Sequence, residues 1–254
     1  MLVAFCTPYG GAASPAHFRA KAIVQNNCPG HKFLNAEVDL LIVSKARNQL
    51  VKAIPATVDV LWFVDSDVLL PPNAGELLDY LSTSPVVSGV YYGRRPPHLP
   101  QVYNRASPED VAQAFLPVVT VPTTPFTADA VGAGCLVVKR EIIGQIEEAH
   151  QKALEQARHV LETKKFPPDV RRLFTMAARL APCFEFLEAI GEDFYFCAQL
   201  THYLGIRPLV IPSVKCYHET LGAVGEEHYL ANLRQGVQYS AQLAPEQGVL
   251  GRVG

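Results

Sequence analysis

Residues 58–69 read Val-Asp-Val-Leu-Trp-Phe-Val-Asp-Ser-Asp-Val-Leu, an apolar run that stops on two carboxylates, Asp65 and Asp67, with only Ser66 between them. A continuous apolar run of this length, bounded by turn formers and closed by Pro71-Pro72, predicts a strand buried on both faces. The carboxylates then stand at the carboxyl end of that strand. In open α/β sheets this is the edge where ligands bind, and two clustered acids there suit a hard divalent cation that holds a phosphate. An Asp-rich turn or helix cap is the competing reading, because Asp and Ser favour both positions.

Strand-like and helix-like segments alternate on either side of this run, which argues for an α/β fold with a mainly parallel sheet. Leu2 to Cys6 reads as the first strand, and Thr7-Pro8-Tyr9-Gly10-Gly11 as the loop after it. Residues 14–26 follow as a helix with Ser14 as N-cap and Pro15 in its first turn. Residues 32–38 read as a second strand, and Asp39 to Ile54 as a helix, from the spacing of Leu40, Val43, Ala46, Leu50 and Ile54. Beyond the acids, Asn73 to Leu81 reads as a helix, Pro85 to Tyr91 and Gln101 to Asn104 as strands, and Ser107-Pro108-Glu109-Asp110 as the start of a short helix. Ala130 to Lys139 reads as a strand carrying Gly132-Ala133-Gly134-Cys135. Residues 140–181 are helical and charged, split in two at Pro167-Pro168, and read as an insertion on a single domain covering 1–254. Strands are expected at Cys183–Phe186 and Arg207–Ile211, a helix after Gly191, and a C-terminal extension over about residues 220–254.

At 254 residues, with 49% hydrophobic and 18% charged residues, the chain has the composition of a folded globular protein. A formal net charge of −2 provides no broad attraction to nucleic acid. The N-terminus lacks the basic segment of a signal peptide, and no stretch approaches the roughly 18 apolar residues of a membrane span. The six cysteines are widely spaced and form no Cys-x-x-Cys pair, which argues against a cysteine-based zinc site or a disulfide scaffold. These features together give the expectation of a soluble, cytoplasmic protein.

Three further groups carry chemistry. Arg47 and Asn48 lie on the helix before the acid-bearing strand and could hydrogen-bond a nucleotide or phosphate, although an exposed helix charge is the plainer reading of Arg47 alone. Glu192 and Asp193 open a helix after Gly191. Acids in a first turn are favoured by the helix dipole in any case, yet a carboxylate partly buried beside Phe194 and Phe196 could serve as a general base. His218 follows the last strong strand and becomes a metal ligand only if the fold returns it to Asp67.

The order of these motifs resembles that of GT-A glycosyltransferases, in particular family-2-like enzymes that use nucleotide sugars: Thr7-Pro8 after the first strand, Ala46-Arg47-Asn48, Asp65-Ser66-Asp67, Gly132-Ala133-Gly134-Cys135, Gly191-Glu192-Asp193 and a distal His218. The similarity spans about residues 1–220. It implies a Rossmann-like mixed, mainly parallel sheet flanked by helices. It also implies metal-dependent transfer of a hexose from a UDP-linked nucleotide sugar to a hydroxyl acceptor on a saccharide, protein, lipid or nucleic-acid base. Mn²⁺ or Mg²⁺ would be held by Asp67 and His218, with Asp65 a metal or ribose contact. Thr7, Pro8, Arg47, Asn48, Asp65, Ser66 and Gly134 would line the donor site, and the Gly132-Ala133-Gly134 backbone would pass close to the donor sugar. Asp193 would deprotonate the acceptor in an inverting displacement, with Glu192 orienting substrate. Glu37 and Asp39 are the nearest candidates for the acid that recognises the nucleobase. Arg94, Arg95 and His98, in a loop rich in breakers, could contact acceptor or phosphate. A homo-oligomer is compatible with the sequence.

Three other readings compete. A haloacid dehalogenase-type phosphatase also places Asp-x-Asp after a strand, but near the first strand and with a different continuation from Val68-Leu69. A nucleotidyltransferase would need basic residues in the Gly-rich loop after strand one, and Thr-Pro-Tyr-Gly-Gly-Ala-Ala has none. A non-catalytic binding or scaffold protein of the same fold is the third.

Overall fold

The computed structural model describes residues 1–9, 13–39, 42–106, 115–186, 190–220 and 223–234. The chain begins with β1 (Leu2–Tyr9), α1 (Pro15–Asn27), β2 (Lys32–Asp39), α2 (Val43–Ala53) and β3 (Val60–Val64). It continues with β4 (Val68–Leu69), the single turn α3 (Glu76–Asp79), β5 (Val86–Val90), β6 (Val102–Arg105), β7 (Phe115–Pro117), β8 (Phe126–Thr127), β9 (Ala130–Val131) and β10 (Cys135–Lys139). Then come α4 (Arg140–Thr163), α5 (Pro168–Ala177), α6 (Glu192–Leu204), β11 (Leu209–Lys215), β12 (Tyr217–Glu219), β13 (Ala223–Val224) and α7 (Glu226–Arg234).

Seven strands form the central sheet in the order β2-β1-β3-β10-β5-β11-β8. β2, β1 and β3 pair in parallel, as do β5 and β11, while β10 runs antiparallel between β3 and β5 and β8 runs antiparallel at the edge. The apolar run is explained by β3: all five of its residues are buried. Leu61 and Phe63 join one core, and Val60, Trp62 and Val64 join the other. A strand with core on both faces has no reason to alternate with polar residues. Two three-stranded sheets, β13-β12-β4 and β7-β6-β9, flank the carboxyl ends of the central strands.

Helix ends follow local chemistry where the sequence shows it. Ser14 Oγ accepts the His17 amide at 3.1 Å, and Pro15 stands first in α1. α2 starts at Val43, four residues later than its periodicity predicts, and Leu40 lies outside the described residues. The same holds for the helix expected after Ser107 and for the tail beyond Arg234. Between Asn73 and Ser82 the expected helix shrinks to α3 and a 3-10 turn.

The structure departs from expectation in three larger respects. The first turns of α4 bury Ile142, Ile143 and Ile146 in the main core, and further along the stretch at 140–181 His150 lies 3.4 Å from Tyr203 Oη while the Ala181 carbonyl accepts from Tyr195 Oη at 3.1 Å, so the stretch packs against α6. Residues 183–186 form no strand. Asn48 instead binds the Phe184 backbone on both sides, donating to its carbonyl at 2.5 Å and accepting its amide at 3.2 Å, so a side-chain amide does the work of a neighbouring strand.

The third departure concerns Ala130–Lys139, which is two strands in two sheets, with Gly132-Ala133-Gly134 as the turn between them. A Cβ at Gly132 would lie 1.9 Å from Tyr91 Oη, and one at Gly134 would lie 2.8 Å from Tyr91 Cζ. The Gly134 amide donates to Tyr91 Oη at 3.2 Å. These glycines make room for a buried tyrosine, which is a different cause from the sugar contact expected of them. Gly132→Ala should therefore lower stability by about 1–3 kcal/mol through overpacking. Adding Tyr91→Phe, which deletes the clashing oxygen, should recover part of that loss in thermal melts, whereas additive losses would show that the two do not touch.

Candidate active site

The acids sit on a turn. The Val68 amide donates to the Asp65 carbonyl at 2.9 Å, which closes a β-turn over Asp65-Ser66-Asp67-Val68 and sends the chain from β3 in the central sheet into β4 in the small one. Asp and Ser are the residues such a turn favours, so the turn reading and the carboxyl-edge reading describe the same four residues. The turn is anchored at both ends, by the Asp65 amide on the Gly134 carbonyl at 3.3 Å and the Glu219 amide on the Asp67 carbonyl at 2.7 Å. Ser66 is partly exposed at the corner.

His218 returns to this turn through strand pairing. β12 runs antiparallel to β4 with His218 opposite Val68, next to Asp67 in sequence. His218 Nδ1 lies 2.7 Å from the Tyr92 carbonyl, which can only accept, so the ring proton is on Nδ1 and the Nε2 lone pair is free. That Nε2 faces Asp67 Oδ1 at 3.6 Å. Burial lowers the pKa of His218, and the nearby Arg94 lowers it further, both favouring the neutral ring that a metal needs. Asp67 Oδ2 is paired with the Arg94 guanidinium. A neutral imidazole and a carboxylate facing one another, where a positive group already settles, fit a hard divalent cation whose remaining ligands come from phosphate and water. Among the described residues no group of three or more His, Cys, Asp or Glu converges on one point, so Asp65 does not join the pair.

Asp65 is held elsewhere. Arg47, only 2% exposed, reaches Asp65 Oδ1 through Nη2 at 2.5 Å and Glu192 Oε1 through Nη1. Burial alone would lower the pKa of Arg47, but Asp65, Glu192 and Asp193 outweigh it, so the guanidinium stays charged. Arg47 is thus a buried bridge between two acid motifs where an exposed charge or a phosphate ligand was expected, and Glu192 is occupied by it where a substrate-orienting role was expected. Asn48, expected beside the nucleotide, holds the Phe184 backbone.

Asp193 is the carboxylate left over. It occupies the first turn of α6, and its Oδ1 accepts the Phe194 amide at 2.9 Å. Burial and then the neighbouring Glu192 raise its pKa from the ordinary 3.8 to about 6, against the lowering effect of Arg47. A carboxylate with that value is a competent proton acceptor near neutral pH.

Thr7 and Pro8 are buried inside β1, which runs three residues further than expected. Thr7 Oγ accepts a hydrogen bond from Lys21 Nζ at 3.2 Å, and Lys21 also lies 3.6 Å from Glu37 Oε1. Lys21 and His17 share the buried face of α1, and His17 Nδ1 lies 3.0 Å from the Val68 carbonyl, one residue past Asp67. These polar side chains and Tyr91 escaped the sequence reading. The spacing of His17, Lys21 and Val24 at i, i+4 and i+7 was the available signal, since it puts two polar residues on one helix face with an apolar one.

No family model and no curated protein matches the chain. Solved structures of related shape include A197 from STIV, at TM-score 0.48 and 20% identity over 87% of this chain and 86% of that one. GalNAc-T7 with UDP, GalNAc and Mn²⁺ follows at 0.47 and 12%, over 86% of this chain and 44% of that one, so this chain spans less than half of it. The inositol-1-phosphate CTP transferase from T. maritima matches at 0.39 and 10%, over 93% and 97%. The central sheet is mixed, mainly parallel and flanked by helices, and likeness at these scores says nothing of family or reaction. Among the described residues no helix is long and apolar enough to cross a membrane.

Two stability measurements test the electrostatics. Arg47→Met, which strands Asp65 and Glu192 without a counterion, should cost about 3–5 kcal/mol in denaturant unfolding. Asp193→Asn should act the other way. A carboxyl group whose pKa is raised on folding binds more protons in the native state, so its contribution to stability falls as pH rises from about 4 to about 6. The Asn variant should match wild type below about pH 4 and exceed it above pH 6, by roughly 1–3 kcal/mol. A variant less stable at pH 7 would contradict the raised value.

Proposed function

We propose that this chain is a metal-dependent glycosyltransferase that moves a hexose from a UDP-linked nucleotide sugar to a hydroxyl acceptor, with inversion and with Asp193 as general base. The observation that carries this reading is the division of labour among the acids. Arg47 pairs with Asp65 and Glu192, Asp67 faces His218, and Asp193 keeps a raised pKa despite Arg47, all at the carboxyl edge of one sheet.

Asp67 and His218 would hold Mn²⁺ or Mg²⁺, which when bound stabilises the charge that develops on the leaving diphosphate. Asp193 would take the acceptor hydroxyl proton on its free carboxylate oxygen as that hydroxyl attacks the sugar. The Phe194 amide, bound to the other oxygen, keeps the carboxylate aimed. Arg47 would hold the β3 turn and the start of α6 at a constant separation, so that donor and base keep their relative positions. The donor class comes from the sequence resemblance, and ligand binding decides it.

A thermal-shift screen of UDP-, GDP- and dTDP-sugars with and without Mn²⁺ should show stabilisation by a UDP-sugar that depends on the metal. Absence of a shift with every donor would favour a scaffold role, and stabilisation by nucleoside triphosphates instead would favour nucleotidyl transfer. Asp67→Asn should lose the metal-dependent shift. Asp193→Asn should keep it and lose transfer by about 10²-fold or more. The wild-type rate should fall about tenfold per pH unit below about 6, as the Asp193 carboxylate becomes protonated. Normal turnover by the Asp193 variant would remove it as the base.

A further inference from the structure

The loop between β5 and β6 brings a charge to the metal edge. Its base is closed by the Gly93 amide on the Leu99 carbonyl at 2.9 Å, by a contact of His98 Nδ1 with the Gly93 carbonyl at 2.8 Å, and by the Tyr92–Pro100 bridge. The His98 amide donates to the Arg95 carbonyl at 2.8 Å, and His98 itself turns the chain with a φ of 57°. Arg94 and Arg95 are thereby presented together, but only Arg94 folds back onto Asp67, and among the described residues Arg95 meets no carboxylate. The Arg94 side chain is 58% exposed and that of Asp67 21%. The guanidinium is thus paired with Asp67 from a side chain that is otherwise mostly in solvent.

We propose that Arg94 is an exchangeable counterion of Asp67. It neutralises the carboxylate while no divalent cation is bound, leaves when one binds, and then serves as a diphosphate-binding residue at the mouth of the site. The exchange stands on Asp67, His218 and Arg94 themselves, and the diphosphate half rests on the nucleotide-sugar reading above. A cation beside Asp67 and His218 would place like charges within a few ångströms of the guanidinium, which an exposed side chain relieves by moving. Once moved, it remains on the same short, closed loop. A nucleoside diphosphate carries one more negative charge than the nucleotide sugar it leaves, so a second positive group at the mouth favours the leaving group over the bound donor.

The test is a Mn²⁺ titration, read by electron paramagnetic resonance of the free ion, on wild type, Arg94→Gln, Arg95→Gln and Asp67→Asn, each checked by thermal melt for native folding. Without nucleotide, Arg94→Gln should bind Mn²⁺ about two- to sixfold tighter than wild type, the range over which a half-exposed ion pair competes. Arg95→Gln should match wild type, and Asp67→Asn should bind weakly. With Mn²⁺ saturating, Arg94→Gln should bind UDP about tenfold more weakly than wild type, with a smaller loss for a UDP-hexose. Equal or weaker Mn²⁺ binding by Arg94→Gln would overturn the exchange, as would an equal gain in Arg95→Gln, which would indicate a general field effect. Unchanged UDP affinity would overturn the diphosphate role. Absence of Mn²⁺ binding in wild type and Arg94→Gln alike would remove the metal reading and this inference together. Normal Mn²⁺ exchange with no nucleotide binding would support the counterion role and reject the nucleotide-sugar reading alone.

Discussion

The Arg47 guanidinium, buried between Asp65 and Glu192, is the interaction on which the rest of the site depends. From α2 it joins the carboxyl end of β3, 18 residues further along the chain, to the first turn of α6, 145 residues further along. Removing a carboxylate or a guanidinium from water costs several kcal/mol, and a single positive charge between two negative ones offsets that cost only if all three stay together. The bridge therefore fixes geometry as much as it stabilises. It also distinguishes the acids, because Asp65 and Glu192 are bonded to it directly while Asp193 feels its charge and Asp67 meets other partners.

Those environments differ for physical reasons that can be traced to backbone. Asp67 lies at the turn where the chain passes from the central sheet to the small one, and the antiparallel pairing of β12 with β4 carries His218 to it. The Tyr92 carbonyl then sets the tautomer of His218. Asp193 lies at a helix start beneath apolar neighbours, where loss of hydration raises its pKa although the dipole and Arg47 act against that. One carboxylate is thus placed to keep company with positive charge, and the other to pick up a proton near neutrality.

Much of the fold was legible because buried strands read as apolar runs. β3 and β10 have cores on both faces, and their sequences show it without alternation. The expected strand at Cys183–Phe186 looked the same by composition but became an irregular segment, since Asn48 satisfies its backbone in place of a strand. Local apolarity cannot distinguish those two outcomes. Gly132 and Gly134 were read as passing close to a donor sugar, whereas the body they make room for in the fold is Tyr91, about 40 residues earlier in the chain, and no short-range pattern links them.

The amino-acid sequence by itself determined the alternation of strands and helices, the place of Asp65-Ser66-Asp67 at a strand's carboxyl end, and the acidic first turn of α6, because each follows from local periodicity and turn chemistry. Tertiary structure alone decided what those side chains meet. Which acid Arg47 neutralises, whether His218 reaches Asp67, that Arg94 returns to the same carboxylate, and that Lys21 lies buried against Thr7 are all contacts between residues far apart in sequence. They are set by sheet order and strand register, which arise from packing the whole chain around its two cores.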